Sequence, residues 1–169
     1  TIEYPFGKEV NHPYGAAHVE RSAFLHTQNW LNAYRDYLKK RDAYVNDNFN
    51  HSDIEFTDKG IAWKEFEAGK VIFCEGYKCT QNPFFDWLPF KLTKGETLKV
   101  DFKKLTLKAA INKGAFVLPY GKHYKVGATY DWDNLNEDAT PKGQQELLEK
   151  IGKFIDDEIR VIKHQAGVR

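Results

Sequence analysis

The sequence predicts an α+β fold, in which a largely antiparallel or mixed β-sheet is flanked by two main helices. Three observations predict it. Helical periodicity is confined to two separate stretches, short alternating segments bounded by turn residues fill most of the rest, and no β-helix-β unit repeats along the chain. Because 169 residues with 41% hydrophobic content are enough for one ordinary core, we expect a single domain over residues 1–169.

The chain opens with an irregular lead-in followed by a helix. Over residues 1–22 the turn markers Pro5 and Pro13 accompany little periodicity. From Thr27, which is suited to an N-cap, apolar residues recur at helical spacing and predict a helix over about residues 28–45. We expect its apolar stripe to pack in the core, and this stripe consists of Trp30, Leu31, Tyr34, Leu38 and Val45.

A three-stranded meander is predicted next. Its strands lie at residues 54–56, 61–66 and 71–74, with turns at 57–60 and 68–69. The third strand is apolar at consecutive positions, which is typical of a strand covered on both faces, so we expect Cys74 to be an inert buried thiol.

The second half of the chain predicts more strands and a second helix. Strands are expected at residues 97–102, 115–119 and 124–130, and a last one near residues 159–162. Between them, Thr140 is a suitable N-cap and Pro141 a suitable first residue for a helix with one apolar face.

Composition excludes several classes of function. Lys and Arg number 25 against 24 Asp and Glu, so the net charge of +1 is too small to attract nucleic acid or an anionic membrane. The longest apolar runs fall far short of the roughly 20 residues of a membrane span. Two cysteines, Cys74 and Cys79, are too few for a disulfide framework and favour a reducing compartment, the cytoplasm. Six scattered histidines predict no metal site.

The sequence contains none of the common catalytic motifs, but several of its segments together resemble those of a known enzyme family. The sequence has no dinucleotide fingerprint, P-loop, zinc-protease helix or nucleophile elbow. In order and spacing, however, it resembles the FAD-dependent oxidoreductases that include glycine oxidase and D-amino-acid oxidase. The matching segments are residues 71–77 with 88–90 and 94–98, residues 116–119 with 124–129, and residues 164–169.

The resemblance implies a cofactor and a missing partner domain. In that family the strand at residues 71–74 joins the nucleotide-binding sheet, and the turn after it, here Cys74, Glu75, Gly76 and Tyr77, faces FAD. A Rossmann-type segment that binds most of the FAD is absent from this chain. We therefore expect a substrate-domain fragment that lacks FAD and is inactive alone, with residues 51–80 joining the missing FAD-binding domain of the same protein.

The resemblance also implies a substrate site. Arg169 matches the arginine that grips the substrate carboxylate, a role that suits a planar guanidinium. Phe116 stands where the amino-acid oxidases carry a tyrosine, and it has no hydroxyl to donate, so the substrate is either an amine or an amino acid. No catalytic side chain is expected, because the flavin accepts the hydride from the substrate.

Each of these interpretations has an alternative. Arg169 also fits a solvated terminal charge, and Gly76 an ordinary turn glycine. The whole chain also fits a non-catalytic soluble binding or interaction domain with an aromatic-rich sheet. Self-association is a further expectation, through the apolar edge of the predicted strand at residues 71–74.

Overall fold

The computed structural model describes residues 6–169, so the predicted turn at Pro5 lies outside the described residues. Where the sequence predicts a single domain, the chain forms two compact units. The smaller unit is Ala17–Cys74, and the larger unit joins residues before 17 to Glu75–Arg169. The predicted turn at Pro13 is present, since the Gly15 N–H donates to the His12 carbonyl at 2.9 Å.

The helix of the smaller unit is shorter and more exposed than predicted. Helix α1 is Thr27–Lys39, and Thr27 is its first residue while His26 occupies the N-cap position. It ends before Asp42, which adopts a left-handed φ of 50°, a conformation that aspartate tolerates better than most residues. None of its residues is buried, so the prediction of a core stripe is wrong. Periodicity identifies an apolar face but not the surface that covers it.

The meander of the smaller unit is present, but its third strand lies elsewhere. Strands β1 (Ile54–Thr57), β2 (Gly60–Trp63) and β3 (Phe66–Ala68) pair antiparallel in that order. The predicted strand at residues 71–74 is wrong. These residues belong to no strand, Ile72 is 85% exposed, and Cys74 is exposed rather than buried. A four-residue apolar run does not specify a strand by itself, and the predicted edge for self-association is therefore lost.

The larger unit is built on a five-stranded antiparallel sheet. Its strands are β4 (Lys94–Phe102), β5 (Ile111–Asn112), β6 (Phe116–Tyr120), β7 (His123–Gly127) and β8 (Ile159–Val168). Their order across the sheet is β5-β6-β7-β4-β8. This confirms the mixed α+β class and the predicted strands, although β7 ends at Gly127 rather than at residue 130 and the short β5 was not predicted.

Helix α2 (Pro141–Gly152) covers one face of this sheet and begins as predicted. The Thr140 hydroxyl accepts a hydrogen bond from the Gly143 N–H at 3.0 Å, and Pro141 is the first helical residue. Alternate residues of the strands pack with the helix in one core, where each fully buried aliphatic side chain contributes about 1.5–3 kcal/mol. The core includes Leu98, Val100, Val117, Val126, Leu147, Ile151 and Phe154.

The opposite face of the sheet carries the intervening residues of each strand. We call it the open face, and on the long central strand β4 it includes Gly95, Thr97 and Lys99. Within residues 6–169, no helix has the length and apolar character needed to cross a membrane.

Candidate functional site

The strand register places one predicted site residue in a row across the open face. Phe116 of β6 pairs with Gly127 of β7, Gly127 pairs with Thr97 of β4, and Thr97 pairs with Gln165 of β8. Since side chains directly opposite each other in neighbouring strands point to the same face, these four residues form one continuous line. Phe116 is therefore a half-buried residue of the open face and not of the core.

The Phe116 ring lies across β7 because residue 127 is glycine. A methyl group on Gly127 would be 2.8 Å from the ring Cζ of Phe116 and 2.8 Å from the Cγ2 of Thr97. Both distances are far inside van der Waals contact. A glycine within a strand often marks such a close approach, and here it lets an aromatic ring lie against the backbone.

Arg169 is fixed by backbone hydrogen bonds although it is the last residue of the chain. Its N–H donates to the Thr93 carbonyl at 2.9 Å, and the Thr93 N–H donates to the Arg169 carbonyl at 2.8 Å. The side chain lies over β4, since a methyl group on Gly95 would be 2.6 Å from Nη1 of Arg169. The guanidinium carbon is 5.0 Å from the centre of the Tyr130 ring, a cation–π distance.

Arg169 and Phe116 therefore share the open face. Gly95, beneath the guanidinium, lies two residues from Thr97, which is in the Phe116 row, and two residues of a strand span about 7 Å. Gly167, opposite Gly95 on β8, would place a methyl group in open space. The result is an exposed guanidinium that lies over the Tyr130 ring and on the same face as Phe116, an arrangement that can bind a small carboxylate with two hydrogen bonds.

The four residues predicted to face a cofactor are not gathered in the same way. Cys74 is an exposed residue of the smaller unit, while Glu75, Gly76 and Tyr77 belong to the larger unit. Gly76 has a φ of +58°, a conformation that favours glycine, and starts a 3-10 helix, Gly76–Gln81. The Glu75 carboxylate accepts a hydrogen bond from Nδ2 of Asn82 at 2.7 Å.

The space beside this turn is open, since a methyl group added at Gly76 would meet nothing within 4 Å. A hydrogen bond to the Glu137 carboxylate raises the pKa of the Tyr77 phenol, so this hydroxyl already has a partner. The cofactor-facing role of Cys74 to Tyr77 stays a prediction. No group of three or more potential metal-ligating side chains is found within residues 6–169.

Three residues that shape the open face were not predicted as site residues from the sequence. Gly95 and Gly127 make room for the side chains of Arg169 and Phe116, and Tyr130 supports the guanidinium. A signal existed for Gly127, because glycine inside the predicted strand at residues 124–130 indicates a bulge or a close approach. Gly95 lies before the predicted strand at residues 97–102 and gave no such signal. The position of Tyr130 depends on the loop after β7, which has no periodic pattern.

Comparison with known proteins identifies the fold. No protein-family model matches the chain. The solved structure of glycine oxidase from Bacillus cereus ATCC 14579 is similar with a TM-score of 0.53 at 23% sequence identity, over 69% of this chain and 36% of that one. Glycine oxidase from Geobacillus kaustophilus gives a TM-score of 0.52 at 19% identity, over 69% of this chain and 32% of that one. The resemblance found in the sequence is thus confirmed as a likeness of fold to glycine oxidases, and the chain spans about a third of their length.

Proposed function

We propose that this chain provides the substrate-binding sheet of a FAD-dependent oxidoreductase, which oxidises an amine or amino acid by hydride transfer to flavin. The observation that carries the proposal is that Arg169 and Phe116 lie on the same open face of a sheet in a chain whose fold is similar to part of glycine oxidase. In the larger protein, flavin would accept the hydride, and this chain would orient the substrate.

Arg169 is proposed to hold the substrate carboxylate. Its backbone pairing with Thr93 fixes the start of the side chain, and the Tyr130 ring limits the orientation of the guanidinium. A cation that is already oriented loses less conformational entropy on binding than a free arginine does. Two parallel N–H···O bonds then define the direction in which the rest of the substrate extends.

Phe116 is proposed to form an apolar wall of the same site. Its ring lies against Gly127 and offers no hydrogen bond, so a carboxylate here is held by Arg169 without a hydroxyl at position 116. An amine whose α-carbon carries apolar substituents would also fit against this ring. The substrate class therefore includes both amines and amino acids.

The FAD itself is proposed to be held mainly by another domain of the same protein. Cys74, Glu75, Gly76 and Tyr77 are proposed to approach it once that domain is present. The free thiols of Cys74 and Cys79 agree with a reducing compartment such as the cytoplasm.

The test uses the protein encoded by the complete gene. We expect it to be yellow with bound FAD, and its flavin to be reduced by a member of a panel of amines and amino acids. Arg169→Met is expected to raise KM for carboxylated substrates roughly 10- to 100-fold, because a charge-assisted hydrogen-bond pair is lost. Arg160→Met is the matched control, since that guanidinium pairs with Asp101 at 2.6 Å.

Two results would contradict the proposal. A colourless full-length protein without FAD would exclude the redox function, and retained carboxylate binding through Arg169 would then favour the non-catalytic binding domain. A flavoprotein whose kinetics are the same in Arg169→Met and Arg160→Met would exclude the assigned role of Arg169.

A further inference from the structure

Three lysines lie side by side on the open face. Lys99 of β4 pairs directly with Lys125 of β7 on one side and with Lys163 of β8 on the other. We call them the lysine row. It lies next to the row that contains Phe116 and Thr97, on the side away from Arg169.

The three lysines take part in no ion pair described for residues 6–169. On the other side of Lys125, the paired residue is the uncharged Leu118. On the same face, the carboxylate of Asp101 already has two partners, since it lies 2.5 Å from Nδ1 of His123 and forms an ion pair with Arg160.

This arrangement is electrostatically unfavourable without a ligand. Residues directly opposite each other in antiparallel strands have Cβ atoms about 4.5–5.5 Å apart, and like charges at that distance destabilise the pair. Lys99 and Lys125 are also half-buried, so water screens them less than it would on an open surface. A solvated sheet face usually mixes both signs of charge. An anion on this row would relieve the repulsion.

We propose that the lysine row binds a second anionic group of the substrate whose carboxylate is held by Arg169. The inference rests on the proposed function and narrows its substrate class to amines with two anionic groups. The second group is a carboxylate or a phosphate. The backbone distance from Gly95, beneath Arg169, to Lys99 is about 13 Å, and arginine and lysine side chains are long enough to shorten the gap that a ligand must span.

A small ligand is favoured over an acidic macromolecule by the arrangement of the face. The row that contains Phe116 and Thr97 lies between the lysines and the residue beneath the guanidinium. One small molecule that spans this row reaches both cationic positions.

The experiment compares substrates in the full-length flavoprotein. Glycine and alanine carry one carboxylate, aspartate, glutamate and 2-aminoadipate carry two, and O-phosphoserine carries a distal phosphate. Both enantiomers are used for the chiral members. We expect kcat/KM to be higher for a member with a second anionic group. Lys125→Met and Lys163→Met are each expected to raise KM for that member by roughly three- to tenfold and to change KM for glycine or alanine little. Lys108→Met, which alters an exposed lysine outside the row, is the control.

The outcomes separate this inference from the proposed function. Flavin reduction by amines with no preference for a second anion would overturn the inference and leave the proposed function standing. Inhibition by inorganic phosphate that is weakened in Lys163→Met would identify phosphate as the preferred group, and inhibition by glutarate a carboxylate. If the full-length protein lacks FAD, titration of inorganic phosphate and glutarate followed by NMR is the readout, and no shifts at Lys99, Lys125 or Lys163 would overturn the inference. The inference would also be overturned if the lysine variants lost binding of an acidic protein while their binding of the small anions stayed unchanged.

Discussion

At the scale of single residues, two glycines determine how the site side chains lie. Gly95 and Gly127 occupy strands in which any other residue would project a side chain onto the open face. The atoms that would meet such a side chain differ. At Gly95 the nearest atom is Nη1, at the end of the Arg169 side chain, whereas at Gly127 it is the edge of the half-buried Phe116 ring with Thr97 beside it. Substitution of Gly95 should move the Arg169 guanidinium, and substitution of Gly127 should strain the sheet.

Gly127→Ala is therefore expected to destabilise the larger unit. Its methyl group would lie 2.8 Å from both the Phe116 ring and the Thr97 methyl, and overpacking of this kind costs about 1–3 kcal/mol. Gly167→Ala is the control, because nothing lies within 4 Å of the added methyl group. Urea unfolding followed by circular dichroism measures the difference. Equal midpoints for the two variants would show that the Phe116 ring does not lie over Gly127.

At the scale of secondary-structure elements, a buried carboxylate joins α2 to the sheet. Glu96 of β4 accepts hydrogen bonds from the N–H and the hydroxyl of Thr140, both at 2.9 Å. Nε2 of His164 lies 2.7 Å from the Glu96 carboxylate but is not aligned to hydrogen-bond with it. The fully buried Lys94 lies 3.8 Å away and donates to Asn136 at 2.7 Å. A charge removed from water is tolerated only with such partners, so this network fixes where α2 begins.

Thr140→Ala is expected to weaken this junction. It removes the N-cap acceptor for the Gly143 N–H and one of the two donors to Glu96, and loss of a helix N-cap alone costs about 0.5–2 kcal/mol. Thr140→Ser retains the hydroxyl and is expected to restore most of the stability. The free energy of unfolding in urea is the measurement. An unfolding free energy in the alanine variant equal to that of the serine variant would contradict this role of the hydroxyl.

The hydrogen bonds accepted by Asp157 form a second contact between elements, and they predict how the free energy of unfolding depends on pH. Burial opposes ionisation of Asp157, but hydrogen bonds from the N–H groups of Leu105, Lys104 and Glu158 outweigh it and hold its pKa below the usual value. Because the folded-state pKa is lowered, the stabilisation is complete above the unfolded value of about 3.9 and is lost as the pH falls through the folded value.

We therefore expect Asp157→Asn to be less stable than the wild type at pH 6, and the difference to shrink as the pH approaches 3. Urea unfolding midpoints at several pH values measure it. Asp156→Asn is the control, since Asp156 is exposed. A wild-type advantage that stays constant from pH 6 to pH 3 would contradict the lowered pKa.

These elements also show what the sequence can and cannot predict. Thr140 and Pro141 were placed correctly because capping is a local interaction, and the strands around Leu98, Val117 and Val126 because alternation reports a half-buried face. The apolar residues 71–74 were misplaced, since their pattern does not show whether anything covers them. Arg169 and Phe116 were identified only through a family resemblance. The lysine row could not be predicted from the sequence, because the register between distant strands is a tertiary property.

At the scale of the whole molecule, the two units differ in how much they bury. Every buried core residue described belongs to the larger unit, and none of the described residues from 17 to 74 is buried. In the smaller unit the aromatic residues of α1 contact one another instead. Trp30 stacks on Tyr34 at 5.5 Å and Tyr34 on Tyr37 at 6.0 Å, and each ring stays about half exposed. Helices of this length are marginal in water without tertiary packing.

We therefore expect the two units to differ in hydrogen exchange when the 169-residue chain is studied alone. Amides of α1 and of β1, β2 and β3 should exchange at close to unfolded rates, because their hydrogen bonds are not protected by a core. Amides of β4 and β7 should exchange only on unfolding of the larger unit. Mass spectrometry of peptides from each unit over seconds to hours measures this.

The same experiment on the full-length protein tests whether another domain packs on α1, since its amides would then gain protection. Equal protection of both units in the isolated chain would show that the smaller unit has a stabilising core of its own, contrary to its exposed aromatic surface.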